Sequence, residues 1–217
     1  MDHPVLHGRL VRLEPLDRRH VPGLAAAAAE DRSRYAWTWV PDPGTAAAYV
    51  DEQLATARTG RLLPYAQICL SSHRVVGVTA YWDPRPFPSG DRLAQIDVGF
   101  TWLAASAQGS GLNLEAKYLL FRHAFEAWEV VRVGLSTDAR NARSRAAIAG
   151  TGARFEGVLR NWSRSWAPGE SGLRDSALYS VVAEEWPECR AYLEHRLSET
   201  EQGAAAAAPR TVSWSRC

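Results

Sequence analysis

Apolar and polar positions alternate almost from the start of the chain. In "GRLVRLEPL" (8–16) Val11 and Leu13 alternate with Arg12 and Glu14, the pattern of a half-buried strand. Asp17 then offers a cap for a helix running through the alanines at 25–29. "RYAWTWVPDPG" (34–44) is aromatic and proline-rich and reads as a loop, and "TAAAYVDEQLATART" (45–59) reads as a second helix. "PYAQICL" (64–70) and "RVVGVTAYW" (74–82) flank a short Ser-Ser-His turn and predict a hairpin. After the turn segment 84–92, "LAQIDVGFTWL" (93–103) is a third strand of this group. A helix from 112, a strand at 130–138, a helix at 141–152 and a strand at 153–160 follow. A Trp-containing loop, a strand at 173–182 and a helix near 184–199 close the pattern.

This order predicts an α/β (α+β) fold: a mixed, mostly antiparallel central sheet of about seven strands flanked by helices. One βαβ crossover is expected near 93–138. Residues 1–199 read as a single domain. The low-complexity segment 200–217 is expected to be disordered.

Composition narrows the function classes. A net charge of +1 provides no basic field for nucleic acid. Cys69, Cys189 and Cys217 are far apart and have no metal-ligand spacing, so they read as reduced structural thiols and no metal site is expected. Nothing in "MDHPVLHGRL" resembles a secretory leader, and no run of about 20 apolar residues is present to span a bilayer. A cytoplasmic location is therefore expected. Nine tryptophans are many for 217 residues.

The candidate chemistry begins at "AQGSGLNLEAKYLLFRHAF" (107–125), where glycines run directly into a helix. A helix N-terminus presents unpaired N–H groups and partial positive charge, and glycines before it allow close approach by an anion. Gly109-Ser110-Gly111 thus reads as a pyrophosphate cradle or as a plain tight turn. On the helix itself, Glu115, Arg122, Glu126 and Glu129 fall on one narrow stripe expected to meet water. Lys117 lies roughly 150° away and either snorkels to an edge, pairs with a carboxylate, or faces a ligand groove.

With "STDARNARSRAAIAGTGARFEGVLR" and "RDSALYSVVAEEWP", this segment resembles the GNAT superfamily of acetyl-CoA-dependent N-acetyltransferases, in particular its RimJ/RimL-like branch of ribosomal-protein N-terminal acetyltransferases. The resemblance covers residues 8 to about 197. It implies an acyltransferase that moves an acetyl group from acetyl-CoA to a primary amine. By that likeness Gly109, Ser110, Gly111, Leu112 and Asn113 hold the CoA pyrophosphate. A backbone amide within Trp102, Leu103 and Ala104 polarises the thioester carbonyl. Asn141 contacts the pantetheine arm, and Ser144 lies near the sulfur as a candidate acid; without the likeness the two read as a helix N-cap and a first-turn residue. The family pattern has Gln or Arg three positions before its first glycine, and counted from Gly109 that position is Ser106.

Asp97, where the family often carries a glutamate, is the best candidate base. Alternation puts Asp97, Gly99 and Thr101 on one strand face. Glu156, His123 and Asp175 are weaker, and Arg174-Asp175 reads as an ion pair. Arg140, Arg143 and Arg145 could meet the CoA 3′-phosphate or simply be solvated. Tyr35, Trp37, Trp39, Tyr81, Trp162 and Tyr179 are candidates for an aromatic acceptor site. An α-amine loses its proton about 2.5 pH units lower than lysine, a saving of roughly 3.4 kcal/mol, which favours a low-pKa acceptor. Small-molecule acyl transfer and a catalytically silent acyl-CoA-binding module are the alternatives. Homodimerisation is left open.

Overall fold

The computed structural model describes residues 1–167 and 169–207. The first alternating segment becomes two strands, β1 (Leu6–His7) and β2 (Val11–Pro15), with Val11 and Leu13 fully buried. Asp17 accepts the Arg19 amide and caps one turn of 3-10 helix that leads into α1 (Val21–Ala28). After the aromatic loop come α2 (Ala46–Arg58), β3 (Leu62–Cys69), β4 (Val75–Pro86) and β5 (Leu93–Leu103). The glycines precede α3 (Leu112–Glu126), followed by β6 (Arg132–Asp138) and α4 (Ala142–Ala149). β7 (Arg154–Arg164), β8 (Leu173–Val182) and α5 (Trp186–Ala207) complete the chain.

The strands form one eight-stranded sheet in the order β1-β2-β3-β4-β5-β6-β8-β7, antiparallel except at β5–β6. The strand beyond the expected seven is the two-residue β1, too short for a periodic signal. α1 and α2 pack on β3 and β4, while α3 packs on β2, β5 and β6 and against α5. Trp162, expected in a loop, lies within β7, because that strand runs four residues past the expected end. Among the described residues no helix is long and apolar enough to cross a membrane.

The last helix continues to Ala207, past its expected end near 199, as the high helix propensity of an alanine run allows. The rest of the 200–217 segment, with Cys217, lies outside the described residues. Cys69 and Cys189 are free thiols.

The solvent stripe expected on α3 is interrupted. Glu115 is 4% exposed and accepts the backbone amides of Arg9 (2.7 Å), Leu10 (2.7 Å) and Val11 (2.8 Å). The β1–β2 turn folds over the start of α3 and converts a solvent-facing position into an internal clamp. Periodicity within one helix carries no information about such a distant cover.

Candidate active site

The site originates in a partial pairing. β5 and β6 are joined at only three positions, Gln95↔Arg132, Ile96↔Val133 and Asp97↔Gly134. Beyond Asp97 the register of β5 continues on the β4 side alone, through a bulge where Phe100 takes φ 50°. The sheet therefore opens into a cleft of about 700 Å³ with β5 as one wall and Leu135–Thr137 of β6 on the other.

The bulge also breaks the alternation. Thr101 would share a face with Asp97 and Gly99 in a regular strand, but the extra residue turns it to the α3 side. There its Oγ1 meets Thr79 Oγ1 (2.9 Å) and Lys117 Nζ (2.6 Å). Trp102 turns the other way, its indole N–H donating to Tyr49 of α2.

Of the three amides considered for the carbonyl, the ladder uses two. Ala104 donates to Val76 O at 2.7 Å, and Trp102 is directly paired with Val78. The same register makes Leu103↔Gly77 a pair whose own amides point away from β4, into the gap. The Leu103 carbonyl accepts Tyr35 Oη and Gln108 Nε2, both at 2.8 Å.

At the floor of the cleft, Gly109 and Gly111 have φ of 77° and 83°. Gly111 is the N-cap of α3 and no side chain caps the helix, so its first-turn amides are left open beside cleft residues Gly109, Gly111 and Asn113. Ser110 and Leu112 contribute backbone only, since Ser110 Oγ donates to Ala107 O and Leu112 joins the core. Counting from the N-cap glycine rather than Gly109, the residue three positions earlier is Gln108, which lines the cleft and accepts from Arg143 at 2.7 Å. Ser106 is instead bonded to Glu30. The glycine that takes the left-handed N-cap is the signal that identifies Gln108. Open amides, left-handed glycines and Arg143 with Arg196 in the same wall suit an anionic diphosphate.

Arg140 and Arg145 are committed elsewhere. Arg140 pairs with Asp138 and Glu170 and stacks over Trp37, and Arg145 bonds Tyr179 Oη and Ala139 O. Asn141 and Ser144 line the wall opposite β5, with Asn141 Oδ1 capping α4 through the Ser144 amide.

The two aromatic loops meet across the mouth. Trp39 and Trp166 stack 5.4 Å apart with 10° between their planes, and Tyr35, Trp37, Trp82 and Trp162 line the same cleft. Tyr81 is outside it: fully buried on the α3 side, it donates to Leu120 O. Its neighbour Trp82 takes the cleft position, because strand alternation sends adjacent side chains to opposite faces. Tyr179 is also buried and packs on Phe155.

Asp97 is not among the cleft-lining residues but stands at the closed end, two residues before Gly99, over Gly134. Burial raises its pKa, with Arg85 and Arg132 opposing and Asp83 and Glu156 reinforcing. Glu156 is bound to Arg132 and Ser180, and His123 lies by Asp2 and Trp128. Arg174 and Asp175 do not pair with each other: Arg174 donates to Ser163 and Asp175 accepts the Asn161 amide.

Against known proteins, the model of the acetyltransferase (GNAT) domain matches residues 10–154. The chain belongs to the GNAT acetyltransferase family. It is thus an acyltransferase, and acetyl-CoA is the donor that this family uses. Among solved structures, a GCN5-related N-acetyltransferase from Brucella melitensis superposes with a TM-score of 0.79 at 25% identity, over 91% of this chain and 86% of that one. Mycobacterium smegmatis RimJ in complex with CoA-disulfide shares the fold at TM-score 0.70 and 23% identity, covering 89% and 93% of the two chains. A ribosomal-protein-S5-alanine acetyltransferase from Vibrio fischeri does so at 0.65 and 16%, covering 84% and 98%. No curated protein matches the sequence.

Proposed function

We propose that this GNAT acetyltransferase transfers the acetyl group of acetyl-CoA to a low-pKa α-amine at the end of a peptide or protein. The reading rests on the gap between β5 and β6, which runs from an uncapped glycine-rich helix start to a tryptophan-walled mouth. The amides from Gly109 to Asn113 hold the CoA diphosphate, with Arg143 beside them. Leu103 N–H serves the thioester carbonyl, and Asn141 and Ser144 border the pantetheine arm and the sulfur. The stacked Trp39–Trp166 pair narrows the entrance, which suits a slender amine end rather than a broad protein surface. The ribosomal-protein acetyltransferase with this fold agrees with a peptide-end acceptor.

Thiol release with acetyl-CoA and an amine panel tests this. Peptides with a free N-terminus should turn over fastest near neutral pH, and Nα-blocked lysyl peptides slowest. Faster turnover of aminoglycosides or amino sugars would replace the peptide with a small-molecule acceptor.

Asp97 is assigned the removal of the amine proton through water. A base must be deprotonated to act, so activity falls as pH drops through its raised pKa. Asp97→Asn is expected to flatten that acidic limb while leaving CoA affinity within about twofold. An unchanged pH–rate profile removes Asp97 from the reaction.

A further inference from the structure

Lys117 is the one lysine in the chain, beside 24 arginines. Among the described lysine and arginines it is the most deeply buried, 5% exposed on the inner face of α3. Its Nζ donates to Thr101 Oγ1 at 2.6 Å and Thr79 Oγ1 at 3.0 Å. Both hydroxyls are neutral, and among the described residues no carboxylate pairs with it. No charged group among the described residues of β2, β4, β5, β6 or α5 contributes to its depressed pKa, which burial lowers to about 7. Lys117 and Thr101 both line the cleft, at the bulge where β5 leaves β6.

The placement distinguishes the two sides of the gap. Tyr49, Trp39 and Trp102 stand on the α2 side, where the proposed acceptor mouth lies. Lys117 and Thr101 close the gap on the α3 side. Lys117 is five residues into the helix from Leu112, about 7–8 Å along the axis from the diphosphate end. It therefore flanks the donor's arm rather than the acceptor.

A buried cation held only by neutral hydroxyls is costly in the resting protein, and a developing anion beside it supplies a counter-charge. Such an interaction is stronger in the transition state than in the ground state, which is the condition for catalysis. Arginine could hold the charge but never release the proton, whereas a buried lysine can do both.

Resting on the acetyltransferase reading above, we propose that Lys117 carries the proton delivered to the leaving thiolate, with Thr101 holding its ammonium at the cleft wall. The C–N bond forms, the C–S bond breaks, and one Nζ proton moves to sulfur, giving the free thiol and a neutral lysine. The proton lost by the acceptor nitrogen passes to Asp97 through water and returns to Lys117 through solvent. Ser144 then need not act as the acid, a role to which an unassisted hydroxyl is poorly suited.

Because lysine occurs once, protein made with 13Cε-lysine gives a single side-chain resonance assignable to Lys117. In the intact free protein this resonance should titrate near neutral pH, with a higher midpoint once CoA is added. A resonance that keeps one ionisation state across about pH 6 to 9 overturns the proposal, whether or not any amine is a substrate. With a peptide acceptor, Lys117→Met should lower kcat at least about 100-fold and abolish the descending alkaline limb, while KM for acetyl-CoA stays within a few-fold. Lys117→Arg should not rescue. Full rescue by arginine, or a Lys117→Met profile that keeps its alkaline limb, overturns the lysine's role and leaves the acetyltransferase reading intact. A wild-type protein inert on every amine sinks that reading instead, and the resonance then decides the state of Lys117 alone.

Discussion

Glu115→Gln is expected to remove roughly 3–5 kcal/mol of folding stability, the cost of breaking a buried charge-assisted network. The carboxylate accepts three consecutive amides at 2.7–2.8 Å. A glutamine presents one acceptor oxygen and turns an NH2 group toward donors, leaving at least one buried N–H unpaired. One carboxylate oxygen accepts Arg9 and the other accepts Leu10 and Val11, so a glutamine loses one bond worth about 1.5–3 kcal/mol and weakens the other two to neutral bonds, by about 1 kcal/mol each, which reaches this range. Urea unfolding would register a lower midpoint at unchanged slope. A loss below about 1 kcal/mol would mean that the β1–β2 turn holds without its clamp. The clamp matters for function as well as stability. Leu10, one of the three donors, lies where a side chain at Gly111 would touch it, so the turn that Glu115 secures also packs against the glycine loop.

Gly111→Val should weaken acetyl-CoA binding at least about 100-fold, or 2.7 kcal/mol. Gly111 combines a left-handed φ of 83° with a crowded site, since an added Cβ would stand 2.7 Å from Thr200 Cγ2 and 3.2 Å from Leu10 Cδ1. A β-branched residue is an outlier in that conformation, and the clash has to be relieved by moving the helix start that presents the open amides. Gly109→Ala is the control. Its φ is 77°, but nothing lies within 4 Å of an added Cβ, so the cost is limited to the left-handed penalty of about 1–2 kcal/mol. Calorimetric titration with CoA, read beside the thermal midpoint of each variant, separates lost binding from lost folding. Equal affinities for Gly111→Val and wild type would detach the glycine loop from the coenzyme.

How legible these features were follows from the range of the interactions that create them. The strands and helices were readable because their signals are local: alternation at Val11 and Leu13, the Asp17 cap, and glycines immediately before an apolar helix. The departures have non-local causes. β7 and α5 run beyond their expected ends, and β1 is too short to show a period. Tyr81 and Trp82 are adjacent aromatics, and composition does not say which one the cleft receives. The bulge at Phe100 reverses the face of Thr101; Gly99 beside it marks an irregular strand but does not tell which face the following residues take. Gln108 became distinguishable from Ser106 once Gly111 was seen to take the N-cap.

By itself the sequence determined a mixed sheet with a crossover, a glycine-rich helix start, and two aromatic clusters, because each arises from residues close together in the chain. Tertiary structure alone decided that β5 and β6 part after three pairs, that the aromatic loops stack on each other, that Glu115 clamps the N-terminal turn, and that the single lysine faces the cleft with no counter-charge among the described residues. Those outcomes depend on what lies opposite a residue, and burial, desolvation and unmet hydrogen bonds come into being only when distant segments meet.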